Sequence, residues 1–250
     1  MRLTTIAITL ASAALLGTNP LNVQAQEAPA ATTETTVLPE LPDDVKQVLE
    51  GLDAAAKDLE DVEARLTYEE SIPLLEKTRR SRGKLLFKKP TKIALKLGKP
   101  HREEVYTDGK VWWVVSHQDE QAQRFLADAD GSTDAPEAAF MKFGFGEGAM
   151  ELAQEYKVTL EDETTEDDVT TYHLKFIPRE RKDMPVRYQA IKVKMTDVHW
   201  LPHEIVLEEP GGEIVHTYRL RNIERNEGIK DDVFDYDPPG GYTVVEPQER

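Results

Sequence analysis

His199 and His203 stand four residues apart, the spacing at which one helix face presents two zinc ligands. Trp200, Leu201 and Pro202 lie between them, and Pro202 breaks such a helix, so no metal site is expected there. His173 and His216 fall in strand-like stretches and are expected to face solvent. From Leu126 to Glu137, the residues Asp128, Asp130, Gly131, Ser132, Asp134 and Glu137 match the later ligand positions of an EF-hand calcium loop. Leu126 takes the first position, where that loop needs a carboxylate, so an acidic surface loop is expected instead. Gly144, Gly146 and Gly148 alternate along a short stretch, but no Lys-Ser or Lys-Thr follows and no strand leads in. They predict a joint between helical pieces and no phosphate loop. Glu161 to Glu163 and Glu166 to Asp168 flank an expected hairpin and face water. There is no Gly-x-Ser-x-Gly elbow, kinase signature or zincin helix. The chain also has no cysteine, which removes thiol nucleophiles, Cys-ligated zinc, iron–sulfur clusters and disulfides. Nothing calls for an enzyme, a metal or a cofactor.

The 250 residues include 47 acids and 31 Lys and Arg, for a net charge of −16. That balance opposes binding to nucleic acid, whose phosphates are met by Lys and Arg. It also opposes docking on anionic lipid through a basic patch. At the amino terminus, Met1-Arg2 precedes an apolar run from Ile6 to Leu16, and Val23 and Ala25 are small residues suited to a cleavage site. Residues 1–25 are read as a secretory signal, too short for a mature membrane span. Gln26 to Pro42, rich in Ala, Thr, Glu and Pro, reads as a disordered tether, and residues 43–250 as one domain.

The domain opens with a helix. Asp43 and Asp44 suit its first turn, and Val45, Val48, Leu49, Leu52, Ala55, Ala56 and Leu59 form one apolar stripe. The period then changes to alternation at Val62, Ala64, Leu66 and Tyr68. Short strands follow, punctuated by Lys89-Pro90, Gly98-Lys99-Pro100 and the Asp108-Gly109 hairpin signal. Later strands fit 158–160, 170–177, 190–196, 204–208 and 215–220, with Pro210-Gly211-Gly212 joining the last two. Two helical pieces, 135–143 and 149–156, interrupt the series as a lid or plug. In the strand 110–116, Val111, Trp113 and Val115 point one way and Trp112 and Val114 the other, so both faces want burial. Either the helices fill an ordinary core or a cavity takes an apolar ligand; composition does not separate the two.

Several stretches together resemble the periplasmic outer-membrane lipoprotein carrier family, LolA. They are Gly83 to Pro90, Tyr106 to Trp113, Asp119 to Gln121, Leu174 to Pro178, Ile191 to Val193, Trp200 to Pro202, Asn222-Ile223, Asp231 to Phe234 and Pro238 to Tyr242. The resemblance spans roughly residues 43–245. It implies a mainly β (α+β) fold, an incomplete, curved antiparallel β-barrel with a helical lid, and an apolar cavity for lipoprotein acyl chains. Leu85, Phe87, Leu95, Trp113, Phe140, Phe145, Phe176, Val193 and Met195 are the expected cavity residues. The implied protein is a monomeric periplasmic carrier, loaded by an inner-membrane exporter and unloaded at an outer-membrane receptor. Lys89-Pro90 stands where the family commonly has Arg-Pro, whose Arg bonds helix backbone and latches the lid. Lys lacks Arg's planar fork, so the latch is altered; its expected partners are carbonyls near Gly144 to Gly148. The alternative on the same fold is an envelope lipid-sensing or protein-interaction module.

Overall fold

The computed structural model describes residues 40–127, 143, 145, 148–179 and 187–246. The expected signal, most of the expected tether, the calcium-like loop beyond Ala127, Phe140 and the helical piece expected over 135–143 therefore lie outside the described residues, except for Phe143. Helix α1 (Asp43–Lys57) starts directly after Pro42, whose carbonyl accepts the Lys46 N–H at 3.0 Å. Its stripe buries Val45, Val48 and Leu49, and Lys57 sits in the last turn, where the dipole favours a cation.

Twelve strands follow: β1 (Asp61–Ile72), β2 (Lys77–Lys88), β3 (Lys92–Leu97), β4 (Glu103–Thr107), β5 (Val111–Ser116), β6 (Gln121–Leu126), β7 (Tyr156–Glu166), β8 (Val169–Pro178), β9 (Ala190–Thr196), β10 (Pro202–Glu208), β11 (Val215–Arg225) and β12 (Thr243–Val245). Helix α2 (Ala149–Glu155) leads straight into β7. The strands form one open, curved sheet in the order β12-β6-β5-β4-β3-β2-β1-β11-β10-β9-β8-β7. Every pairing is antiparallel except β12 with β6. The chain thus lays down one half of the sheet before α2 and the other after it, and β11 returns to β1 to join them. An Asp–Asn knot fixes that seam. The buried Asp61 carboxylate accepts the N–H groups of Glu227, Gly228 and Ile229, and Asn226 Oδ1 accepts the Glu60 N–H at 2.8 Å.

Alternation sorts side chains onto two faces. The inner face buries Val62, Leu66, Leu85, Phe87, Ile93, Leu95 and Trp112 in one core with α1 and α2. The core continues through Leu174, Phe176, Val193, Met195 and Ile205 on the later strands. A smaller cluster lies on the outer face, where Phe234 packs on Leu86, Ala94 and Tyr106. Phe234 belongs to a strap, residues 229–236, which includes the short 3-10 turn Asp231–Phe234.

Candidate functional site

A cavity of about 40 Å³ lies on the inner face, between the helices and β8 and β9. Helix α1 supplies Leu52, Ala55 and Ala56, and α2 supplies Ala149 and Leu152. Phe143 and Phe145 close one wall, Phe176, Val193 and Met195 form the sheet side, and His199, Trp200 and Leu201 complete the rim. Aromatic rings knit the wall together: Phe143 packs edge-on against Phe176 and Phe145 stacks on Phe87, both at 4.9 Å between centroids. The lining is almost wholly apolar, so its chemistry is burial of hydrocarbon. Ligand pockets for molecules of drug size run to ~300–1,000 Å³. An acyl chain therefore enters only if the helices move off the sheet.

The helices are held by polar ties. The Asp53 carboxylate on α1 accepts the N–H groups of Ala149 and Met150, at 2.6 and 3.1 Å, where α2 begins. These donors have no partner within the helix, so α1 caps α2. At the C-terminal end of α1, Lys89 Nζ donates to the Ala56 carbonyl. Arg225 donates to the carbonyls of Ala55 and His199, each at 3.3 Å, and Asn226 Nδ2 to that of Asp58 at 2.8 Å. The Trp200 indole supports α1 from below. A Cβ at Gly51 would stand 2.5 Å from that ring, so only glycine lets the helix sit this close. Trp200 itself adopts a left-handed φ of 50° and stacks on Tyr172.

Of the expected cavity residues, Phe145, Phe176, Val193 and Met195 line this cavity. Leu85, Phe87 and Leu95 are buried in the same core beside it without reaching its surface. Trp113 is a correction. It pairs with Tyr106 in the register, points to the outer face and packs on Tyr236, 5.8 Å away, whereas Trp112 joins the inner core. Lys89 bonds the end of α1, at the Ala56 carbonyl; of its expected partners between Gly144 and Gly148, residues 144, 146 and 147 lie outside the described residues. The ties through Asp53, Arg225 and Asn226 and the Gly51–Trp200 seat were not anticipated. An Asp in mid-helix has no sequence signature that separates a tie from a solvated charge.

Beyond the core, the inner face turns polar. Tyr68 OH and His216 Nδ1 are 2.8 Å apart, and His216 Nε2 meets Glu209 at 3.2 Å, so His216 is half-buried and partnered, not solvent-facing as expected. Ser81 Oγ and His101 Nδ1 are 2.7 Å apart, and both residues are buried. Burial, with Arg79 adding to it, lowers the His101 pKa and favours the neutral ring. His101 Nε2 is buried without a partner among the described residues. His203 on β10 is likewise pushed down by burial. Among the described residues no helix is long and apolar enough to cross a membrane.

Residues 66–237 match the family described as outer membrane lipoprotein carrier protein LolA. A protein named outer-membrane lipoprotein carrier protein from Alkalilimnicola ehrlichii is 25% identical over 181 residues, 72% of this chain and 73% of its own length. One of the same name from Methylococcus capsulatus is 25% identical over 66% of this chain and 72% of its own. Among solved structures, an uncharacterized conserved protein from Thermus thermophilus superposes with a TM-score of 0.49 at 10% identity. That superposition covers 82% of this chain and 99% of the other.

Proposed function

Because this chain belongs to the LolA family of outer membrane lipoprotein carriers, we propose that it carries lipoprotein or lipid acyl chains across the periplasm. In this reading residues 1–25 direct export and are removed, and residues 43–250 act as one carrier domain. Cargo arrives from an inner-membrane exporter and leaves at an outer-membrane receptor. No bond is made or broken in the carrier.

The observation that carries the reading is the apolar cavity under two helices held by a few polar bonds. Each buried methylene is worth about 0.8 kcal/mol, so an acyl chain crosses water only if its carrier replaces most of that burial. It must also let go. A lid whose closed form has its own bonds does both, because cargo competes with those bonds. Lys89 is the latch in this account: its ammonium satisfies the Ala56 carbonyl only when α1 is seated. Opening leaves that carbonyl to the Leu59 N–H, 3.2 Å away, and to water, and returns the difference on release.

The test compares wild type with Lys89→Leu and Lys89→Arg, using a fluorescent fatty-acid probe. Lys89→Leu removes the bond at a cost to the closed form of roughly 1–3 kcal/mol. The open form gains relatively, so the probe binds more tightly and leaves more slowly. Lys89→Arg keeps a donor and stays near wild type. No saturable binding by wild type overturns the carrier reading; equal affinities and off-rates in all three proteins remove the latch.

A further inference from the structure

On the outer face, strands β1, β2 and β11 form an open groove of about 620 Å³ lined by five arginines. Register sets Arg65 between Lys84 and Arg221 in one row, and Thr67 between Arg82 and Arg219 in the next. Glu63 pairs with Lys84, Glu69 pairs with Arg80 and lies 3.6 Å from Arg219, and Glu204 takes Arg219 at 2.6 Å. Arg65, Arg82 and Arg221 have no carboxylate partner among the described residues. Three guanidinium groups thus face water around one groove in a chain of net charge −16.

The same arm ends in an apolar tip. β3 pairs with β2 only from Gly83 to Lys88, and the β1–β2 hairpin runs on to the turn Pro73–Leu75. Leu74 is 91% exposed and Leu75 56%. Lys77, Arg79 and Arg80 follow at once; Glu70 pairs with Arg79 at 3.5 Å, and Glu76 is exposed. Between Glu63 and Lys84 the carboxylates are Glu63, Glu69, Glu70 and Glu76, against Arg65, Lys77, Arg79, Arg80, Arg82 and Lys84. Arg219 and Arg221 add to the excess from β11. The cavity uses none of these residues.

We propose that this arm docks the protein on an anionic bilayer, with Leu74 and Leu75 entering the headgroup–acyl boundary and the groove arginines meeting lipid phosphates. Guanidinium forks match phosphate oxygens two at a time. Two aliphatic side chains in water at the end of a basic hairpin fit the combination that holds peripheral segments at such surfaces. Summed over the chain, charge opposes this docking, which is the expectation the composition gave. The fold reverses it locally, because alternation along β1, β2 and β11 gathers the arginines on one face. The field of the remaining acids turns the rest of the molecule away and presents the arm first. An acidic peptide would use the arginines but has no use for the leucines.

Sedimentation of the protein without residues 1–25 with vesicles tests the proposal. Binding is expected to vesicles of phosphatidylcholine with phosphatidylglycerol, not to phosphatidylcholine alone, and to weaken as salt rises. The double variant Leu74→Ser, Leu75→Ser should lose roughly tenfold in partitioning, because the tip has nothing left to bury. The triple variant Arg65→Gln, Arg82→Gln, Arg221→Gln should bind more weakly and with a flatter salt dependence. Both variants should take the fatty-acid probe as wild type does, which separates this surface from the carrier reading. Absence of vesicle binding, or equal binding by all three proteins, overturns the proposal. So does binding to polyglutamate, but not to vesicles, that only the arginine variant loses; that result assigns the groove to an acidic protein partner.

Discussion

Around Leu86, Ala94, Tyr106 and Trp113, on β2 to β5, the sheet is covered on both faces, by the main core inside and by the 229–236 strap outside. From β8 to β10, among the described residues, only the inner face is covered, and the outer face carries ion pairs such as Lys192–Glu208 and Lys194–Glu204. The cavity takes its sheet-side residues, Phe176, Val193 and Met195, from the singly covered half. A strand packed on both faces has no room to shift without opening a void. A strand with water on one side moves at lower cost. On the proposed carrier reading the difference assigns work to the two halves: β2–β5 with the strap forms the fixed frame, and the helices over β8 and β9 form the part that gives way to cargo.

The strongest way to break that assignment is to remove the anchor of the strap. Phe234 is 1% exposed and fills the outer cluster between Leu86, Ala94 and Tyr106. Phe234→Ala should cost about 3–5 kcal/mol in global stability. It touches nothing in the cavity, so the folded fraction should bind the fatty-acid probe with unchanged affinity. Denaturant unfolding and probe titration measure the two effects separately. A loss of probe affinity with little loss of stability would make the strap part of the moving machinery and dissolve the comparison.

Asp53 sharpens the same contrast from the other side. Asp53→Ala strips the acceptor from two N–H groups that start α2. A cost of roughly 1–3 kcal/mol to the closed lid is expected, below that of Phe234→Ala. The signature should be local. Amide exchange should quicken in α2 and the probe should bind more tightly, while β2–β5 keep their protection. Uniformly faster exchange across both halves would show that the lid and frame unfold as one unit.

How much of this was legible in the sequence follows from which contacts leave a periodic trace. The α1 stripe and the alternation of Val62, Ala64, Leu66 and Tyr68 gave their elements directly, because one face meets core and the other does not. The Asp108-Gly109 turn gave the β4–β5 hairpin, and Gly109 has a φ of 93° there. Trp112 and Trp113 were ambiguous for a physical reason: β5 is apolar on both sides since both of its faces are covered. The Lys89–Ala56 bond could not be read, because the Ala56 carbonyl lies 33 residues away and backbone acceptors carry no side-chain signal. The basic groove was hidden by summing charge over the whole chain, which discards the register that gathers Arg65, Arg82 and Arg221.

The smallest expected effect is electrostatic and lies at the edge of the strap. Asp231 accepts from Lys88 at 2.6 Å and pairs with Lys92 at 2.9 Å, while Lys88 also donates to the Ile229 carbonyl at 2.7 Å. The two lysines, Lys88 foremost, hold the Asp231 carboxyl down at about 2, against an ordinary 3.8. A carboxyl more acidic when folded binds fewer protons there than when unfolded, so it stabilises the fold above about 3.8 and loses that contribution as pH falls towards about 2. Asp231 is exposed, so solvent and salt screen the pair and its share is modest. Asp231→Asn should therefore lower Tm by less than either variant above at neutral pH and low salt. The difference should shrink near 1 M salt, where the Debye length is about 3 Å, and vanish once the wild-type carboxyl is protonated. Thermal melts across salt and pH measure both trends. A Tm difference that survives high salt undiminished would mean that Asp231 acts by shape and hydrogen bonding. The strap would then be fixed to β2 and β3 by geometry, and the frame would be stiffer than charge alone makes it.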